Sequence, residues 1–126
     1  MNSAGNLKAV LLVDDDRQLA ETLQTALRGE DYLVDVAHDG EEAFLKIKVH
    51  QYDAVVCDMM MPKLRGDQLY RQAVVLHPEL TGHFLFITGF ADDPAVRKFL
   101  SSISARYLLK PFAIQDLINA VQTLGA

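Results

Sequence analysis

Three carboxylates in succession, Asp14, Asp15 and Asp16, follow the apolar run Val10-Leu11-Leu12-Val13. Like charges held together repel, so such a run is costly unless a cation shares it. Hard divalent cations such as Mg²⁺ take oxygen ligands and keep several waters, so one or two carboxylates suffice. The run therefore raises the question of a third carboxylate and of phosphate-handling groups converging on the same point. Candidates stand at the ends of other apolar runs: Asp58, Thr88 and Lys110.

The spacing of apolar residues gives the elements that would carry these groups. Lys8 to Val13 is continuous in the way of a parallel strand buried on both faces. Asp16 is placed to cap a helix with inner face Leu19, Leu23, Ala26 and Leu27, ending at Gly29. Tyr32 to Ala37 is a second strand, and polar Asp35 within it suggests a sheet edge. Asp39 and Glu42 resemble a capping box for a helix with Ala43 and Ile47 inward. Asp53 to Cys57 is the third strand, and Met60 to Gly66 a loop. A helix with Leu69, Ala73 and Leu76 inward follows, stopped by His77-Pro78. Phe84 to Ile87 is the fourth strand. Asp93-Pro94 opens a helix lined by Val96, Phe99 and Leu100. Arg106 to Leu109 is the fifth strand, and the last helix carries Ile114, Leu117, Ile118 and Val121. Five βα repeats predict an α/β fold, a doubly wound parallel sheet with helices on both faces. Sites in such sheets form beyond the carboxyl ends of the strands, where Asp14, Asp15, Asp58, Thr88 and Lys110 fall.

The chain of 126 residues fits one domain; 50% of it is hydrophobic and 23% charged. A net charge of −5 argues against a nucleic-acid or anionic-membrane surface. The single cysteine, Cys57, allows no disulfide framework and suits a reducing cytosol. No apolar stretch approaches the roughly 20 residues of a membrane span. Residues 1–6 read as a short disordered lead-in, and 7–126 as the domain.

Four segments in order resemble the receiver domain of two-component response regulators. They are Leu12-Val13-Asp14-Asp15-Asp16, Cys57-Asp58-Met59-Met60-Met61-Pro62 with Gly66, Phe86-Ile87-Thr88-Gly89, and Tyr107-Leu108-Leu109-Lys110-Pro111-Phe112. The resemblance covers residues 8 to 124 and implies a flavodoxin-like (βα)5 sheet of order 2-1-3-4-5. It implies that Asp58 accepts a phosphoryl group from a sensor histidine kinase or a histidine phosphotransfer protein. Asp15 would bind Mg²⁺ directly and Asp14 mostly through water, with Asp58 and the Met60 carbonyl completing the protein ligands. Lys110 and Thr88 would contact the phosphoryl oxygens, Tyr107 would be the switch aromatic, and Lys110-Pro111 would be cis. Such a domain catalyses its own phosphorylation and dephosphorylation in the cytoplasm but is primarily a signalling switch. Its output face, formed by the fourth helix, fifth strand and fifth helix, would include Arg97, Lys98, Tyr107 and Gln115, and would meet an output domain or a second copy. Apolar Met60 and Phe90, flanking the path of an attacking water, suggest slow hydrolysis.

The chain departs from the family pattern at Gly89, where Ala is commonest. Arg65 stands where an acidic residue is frequent, and Ile103-Ser104 where a Gly-Ala pair is usual. Two other classes compete. A haloacid-dehalogenase-type phosphatase would space two aspartates as Asp14 and Asp16 are, but it wants Thr or Val where Gln18 stands. A flavodoxin-like carrier would need a phosphate cradle rich in small residues, which three aspartates would oppose. Cys57 reads as a small buried strand residue. The run Met59-Met60-Met61 reads as loop packing. His38, His50, His77 and His83 show no ligand spacing and read as surface or helix-end residues.

Overall fold

The computed structural model describes residues 8–61, 63–89 and 92–124. The lead-in over 1–6, Pro62 and Phe90 lie outside the described residues. Strands β1 (Lys8–Val13), β2 (Tyr32–Ala37), β3 (Ala54–Asp58), β4 (Phe84–Thr88) and β5 (Arg106–Leu109) alternate with five helices. These are α1 (Arg17–Arg28), α2 (Gly40–Val49), α3 (Gly66–Leu76), α4 (Pro94–Ser102) and α5 (Ile114–Leu124). The strands are parallel in the order β2-β1-β3-β4-β5.

Side-chain alternation along the central strands builds two cores from one sheet. Leu11, Val13, Val55, Cys57, Phe84 and Phe86 pack with residues of α2, α3 and α4. Val10, Leu12, Val56, Leu85 and Ile87 pack with Leu23 and Leu27 of α1 and Leu117 and Val121 of α5. Both parities are buried, so these strands read as unbroken apolar runs. Each fully buried Leu, Ile or Phe contributes about 1.5–3 kcal/mol of transfer free energy. At the β2 edge, Leu33 is exposed, and the exposed Asp35 accepts a hydrogen bond from the Tyr52 hydroxyl at 2.7 Å.

Helix starts follow the sequence closely. Asp16 Oδ1 accepts from Leu19 N at 3.0 Å, Asp39 Oδ1 from Glu42 N at 2.8 Å, and Asp93 Oδ1 from Ala95 N at 2.8 Å. The Glu42 carboxylate reaches back one residue beyond the cap and accepts from His38 N at 2.7 Å.

Four expectations shift. β3 shifts by one residue, to Ala54–Asp58 from the expected Asp53 to Cys57, and β4 extends by one to Thr88, because Asp58 still pairs with Ile87 and Thr88 with Leu109. Both site residues thus end a ladder instead of beginning a loop. Leu76 is exposed, since the chain passes into a 3₁₀ turn at Pro78–Leu80 and Leu80 enters the core instead. The inward aromatic of α3 is Tyr70, whose ring lies 5.1, 6.0 and 5.8 Å from those of Phe84, Phe86 and Phe99. Gly29 ends α1 with ordinary helical φ (−65°), and the left-handed residue is Asp31 (φ 67°).

Candidate functional site

Strand order reverses direction between β1 and β3, so their carboxyl ends stand side by side at the switch point. There Asp14, Asp15 and Asp58 each offer a carboxylate oxygen, all within 4.8 Å of one another. Asp16 is spent on the α1 cap. Asp14 N donates to Ala37 O at 3.0 Å, which holds the residue in line with β1. The Asp14 side chain is fully buried; its Oδ1 accepts from Asp16 N at 2.9 Å, while Oδ2 has no hydrogen-bond partner. The nearest cation to that oxygen is Lys110 Nζ at 3.8 Å. Burial pushes the Asp14 pKa up to about 6, with the neighbouring Asp58 charge adding to it and the Asp16 N–H opposing it.

Asp58 is buried but fully bonded. Its Oδ1 accepts from Met60 N at 3.1 Å and its Oδ2 from Lys110 Nζ at 3.0 Å. Burial works against the Lys110 charge, but the Asp58 hydrogen bond and the charges of Asp58, Asp14 and Asp15 raise its pKa above the ordinary lysine range. Lys110 N donates to Thr88 O at 2.9 Å, so the ends of β4 and β5 are tied beside the carboxylates. The Thr88 side chain is fully buried, and the Lys110-Pro111 bond is cis. Asp15 is exposed and opens the cluster to solvent. A crowded carboxylate set with an orphaned buried oxygen fits a hard divalent cation.

Two glycines let neighbouring elements close on this end of the sheet. A Cβ at Gly66 would stand 2.9 Å from Asp58 O and 3.0 Å from Met59 Cα, and Gly66 N donates to Met59 O at 2.9 Å. A Cβ at Gly40 would collide with the backbone and Cβ of Leu64 in the β3–α3 loop.

Asp14, Asp15, Asp58 and Lys110 come together, and Thr88 ends the strand beside them. Met60 joins them through its backbone N–H, its side chain partly exposed. Tyr107 stands apart, 47% exposed on β5 and bordering a groove along α4 with Arg97, Lys98 and Leu100. Cys57 is fully buried, and burial pushes its thiol pKa up. Met59 and Met61 pack into the core. His50 and His77 end α2 and α3, as the sequence suggests, while His38 and His83 depart from that reading. His38 Nδ1 lies 3.2 Å from Asp14 O, and His77 Nε2 lies 3.0 Å from Ile47 O. His83 Nδ1 is buried without a hydrogen-bond partner. Nothing in sequence spacing marks His38, because the carbonyl it meets lies 24 residues away. Arg65 is not a bare loop charge: it makes a two-point pair with the buried Asp67, at 3.2 and 3.0 Å, and Arg71 shares that carboxylate at 3.3 Å.

An acidic pocket at the switch point of a 2-1-3-4-5 sheet, closed by the lysine that follows β5, defines a signalling domain of the two-component class. A receiver domain protein from Methanospirillum hungatei JF-1, described as CheY-like, superposes with a TM-score of 0.85 at 27% identity, covering 93% of this chain and 92% of that one. The response regulator TrrA from Thermotoga maritima, solved in complex with Mg²⁺-BeF, gives 0.80 at 30% identity over 94% of this chain and 99% of its own. Residues 10–122 match the Response regulator receiver domain family, and the chain belongs to it. Among full-length relatives, the transcriptional regulatory protein CutR of Streptomyces coelicolor is 38% identical over 116 residues, 92% of this chain and 52% of CutR. The response regulator MprA of Mycobacterium ulcerans is 36% identical over 118 residues, 91% of this chain and 49% of its own length. The chain thus spans about half the length of these relatives. Family membership sets the phosphatase and flavodoxin readings aside. Among the described residues no helix is long and apolar enough to cross a membrane.

Proposed function

We propose that Asp58 is the phosphoacceptor, taking a phosphoryl group from a phosphohistidine of a sensor histidine kinase or histidine phosphotransfer protein. The observation that carries this reading is the placement of Asp58 between Lys110 Nζ at 3.0 Å and the Asp14–Asp15 pair. An Asp58 carboxylate oxygen attacks phosphorus, the P–N bond to the histidine breaks, and the imidazole leaves with its electron pair and takes up a proton. The product is an acyl phosphate. Lys110 exchanges its bond to Asp58 for one to a phosphoryl oxygen, and the Thr88 hydroxyl donates to another. Asp15, Asp58 and the Met60 carbonyl would hold Mg²⁺, with Asp14 acting mostly through water. The ion, when bound, offsets negative charge on the carboxylates and the transferring group.

Phosphorylation then shifts a pre-existing equilibrium of the α4–β5–α5 face, where Arg97, Lys98, Tyr107 and Gln115 lie. The exposed Tyr107 ring turns inward as Thr88 engages the phosphoryl group. That face meets an attached output domain or a second copy, and the kinase partner sets a cytoplasmic location. Met60, beside Asp58 and unable to orient water, favours a long-lived phosphoryl group, as would Phe90.

Incubation with a small phosphodonor and Mg²⁺ tests the assignment. The expected result is stoichiometric labelling, lost in Asp58→Asn. Labelling of Asp58→Asn, or turnover that persists in that variant, would overturn it. The variant Met60→Asn with Phe90→Glu should lose its label faster than wild type; an equal rate refutes the shielding role.

A further inference from the structure

The turn from β2 into α2 meets the acidic cluster and the loop that follows Asp58 through three consecutive residues. His38 Nδ1 lies 3.2 Å from Asp14 O. A carbonyl oxygen only accepts, so this contact requires the proton on Nδ1. The next residue, Asp39, caps α2 and also lies 3.6 Å from Lys63 Nζ in the loop that follows Asp58. The third, Gly40, lacks the Cβ that would strike Leu64 of the same loop. The turn is itself fixed, because His38 N donates to Glu42 Oε1 at 2.7 Å.

The consequence falls on the peptide between Asp14 and Asp15. Its N-terminal neighbour is anchored by the Asp14 N–H bond to Ala37 O, the residue just before His38. Its carbonyl is anchored by His38. Chain on both sides of the Asp14 side chain is thereby tied to the end of β2, while the carboxylates of Asp14, Asp15 and Asp58 repel one another. Without such ties the peptide is free to rotate and splay the cluster. We infer that His38 is a positioning residue: its Nδ1–H bond to the Asp14 carbonyl sets the Asp14–Asp15 peptide in the orientation that divalent-cation binding requires. Groups that orient metal ligands from behind typically change affinity by roughly 10- to 100-fold when removed. The lower end applies to a carbonyl anchor that does not itself bond a ligand atom.

This inference rests on the assignment of the Asp14–Asp15–Asp58 cluster as a Mg²⁺ site, and the experiment separates the two. Mg²⁺ affinity is measured by titration on the whole chain, beside the midpoint of urea unfolding in EDTA. Wild type must bind Mg²⁺ and Asp15→Asn must not; if wild type does not bind, the cluster assignment itself fails. In His38→Asn the amide nitrogen occupies the place of Nδ1, whereas in His38→Gln it falls one bond further out. His38→Leu has no donor. Expected is a roughly tenfold loss of Mg²⁺ affinity in the Leu and Gln variants and rescue to within about twofold in the Asn variant. A purely structural role would lower the unfolding midpoint without separating Asn from Gln in affinity. Equal affinity for Mg²⁺ across all three variants and wild type, or equal loss in Asn and Gln, overturns the inference. Should the Leu variant not fold, the Asn–Gln comparison decides alone.

Discussion

Asp14 carries the largest electrostatic penalty of the site. It is fully buried, bonded at one oxygen only, and faces two other carboxylates. Its pKa in the folded protein rises from 3.8 to about 6, first through burial. An acid whose folded pKa is raised holds its proton more tightly when folded. Its contribution to stability is therefore complete below the unfolded value and is lost as pH rises through about 6. In EDTA, Asp14→Asn removes the penalty and keeps the oxygen that accepts from Asp16 N. The variant should be more stable than wild type by about 2 kcal/mol at pH 8, the gap closing as pH falls below 4. Urea unfolding at the two pH values checks this; a wild type that is the more stable form at pH 8 would show that Lys110 fully offsets the buried charge. The lysine lies 0.8 Å nearer Asp58 than Asp14, leaving the Asp14 oxygen for a cation.

At the scale of elements, the end of α4 carries a residue in a conformation that favours glycine. Ala105 N donates to Leu100 O at 2.9 Å and Ser104 N to Ser101 O at 3.2 Å, the paired bonds of a helix ending that demands a left-handed residue. Ser104 fills that position with φ 50°, where a non-glycine residue is disfavoured by roughly 1 kcal/mol. Ser104→Gly should raise stability by about 0.5–1 kcal/mol, part of the steric relief being offset by the greater freedom of an unfolded glycine. A thermal melt that drops instead would mean the Ser104 side chain stabilises the turn. Gly40→Ala has the opposite sign. The new Cβ meets Leu64 backbone, which cannot swing aside as a flexible side-chain tip can, so a loss of more than 2 kcal/mol is expected, read from the same melts. These two positions mark where sequence reading stops. Caps at Asp16, Asp39 and Asp93 and the strands were legible because each depends on residues within a few positions of one another, and the site chemistry because four strand-end segments resemble a known family. The Gly40–Leu64 approach and the His38 contact depend on elements meeting in space, whereas the Arg65–Asp67–Arg71 cluster lies within one helix start and its spacing was overlooked. Periodicity placed Leu76 inside by counting turns, and could not see that Pro78–Leu80 would supply the core residue instead.

For the whole molecule, the acidic pocket and the sheet form one thermodynamic unit. Asp14 and Asp58 reach it from two adjacent strands, and Lys110 follows a third. The unfolded chain cannot bring them together, so a divalent cation that binds the cluster binds the folded state alone. Linkage then gives about 2.7 kcal/mol of added stability at 100 times the dissociation constant, growing with the logarithm of concentration. For a domain of this size that corresponds to a rise in melting temperature of roughly 8–14 °C. Mg²⁺ should produce that rise at pH 8, and EDTA should reverse it. Two controls locate the effect. Asp15→Asn, exposed and outside the folding core, should melt like wild type in EDTA and gain little from Mg²⁺. Phe86→Ala removes the ring that touches Tyr70, Phe84 and Phe99, and should lose about 3–5 kcal/mol in EDTA. It should nevertheless keep the Mg²⁺ increment, because its cavity opens in the core and not among the ligands. An increment that disappears with Phe86 but survives in Asp15→Asn would place cation binding away from the strand ends and remove the basis for the phosphoacceptor assignment.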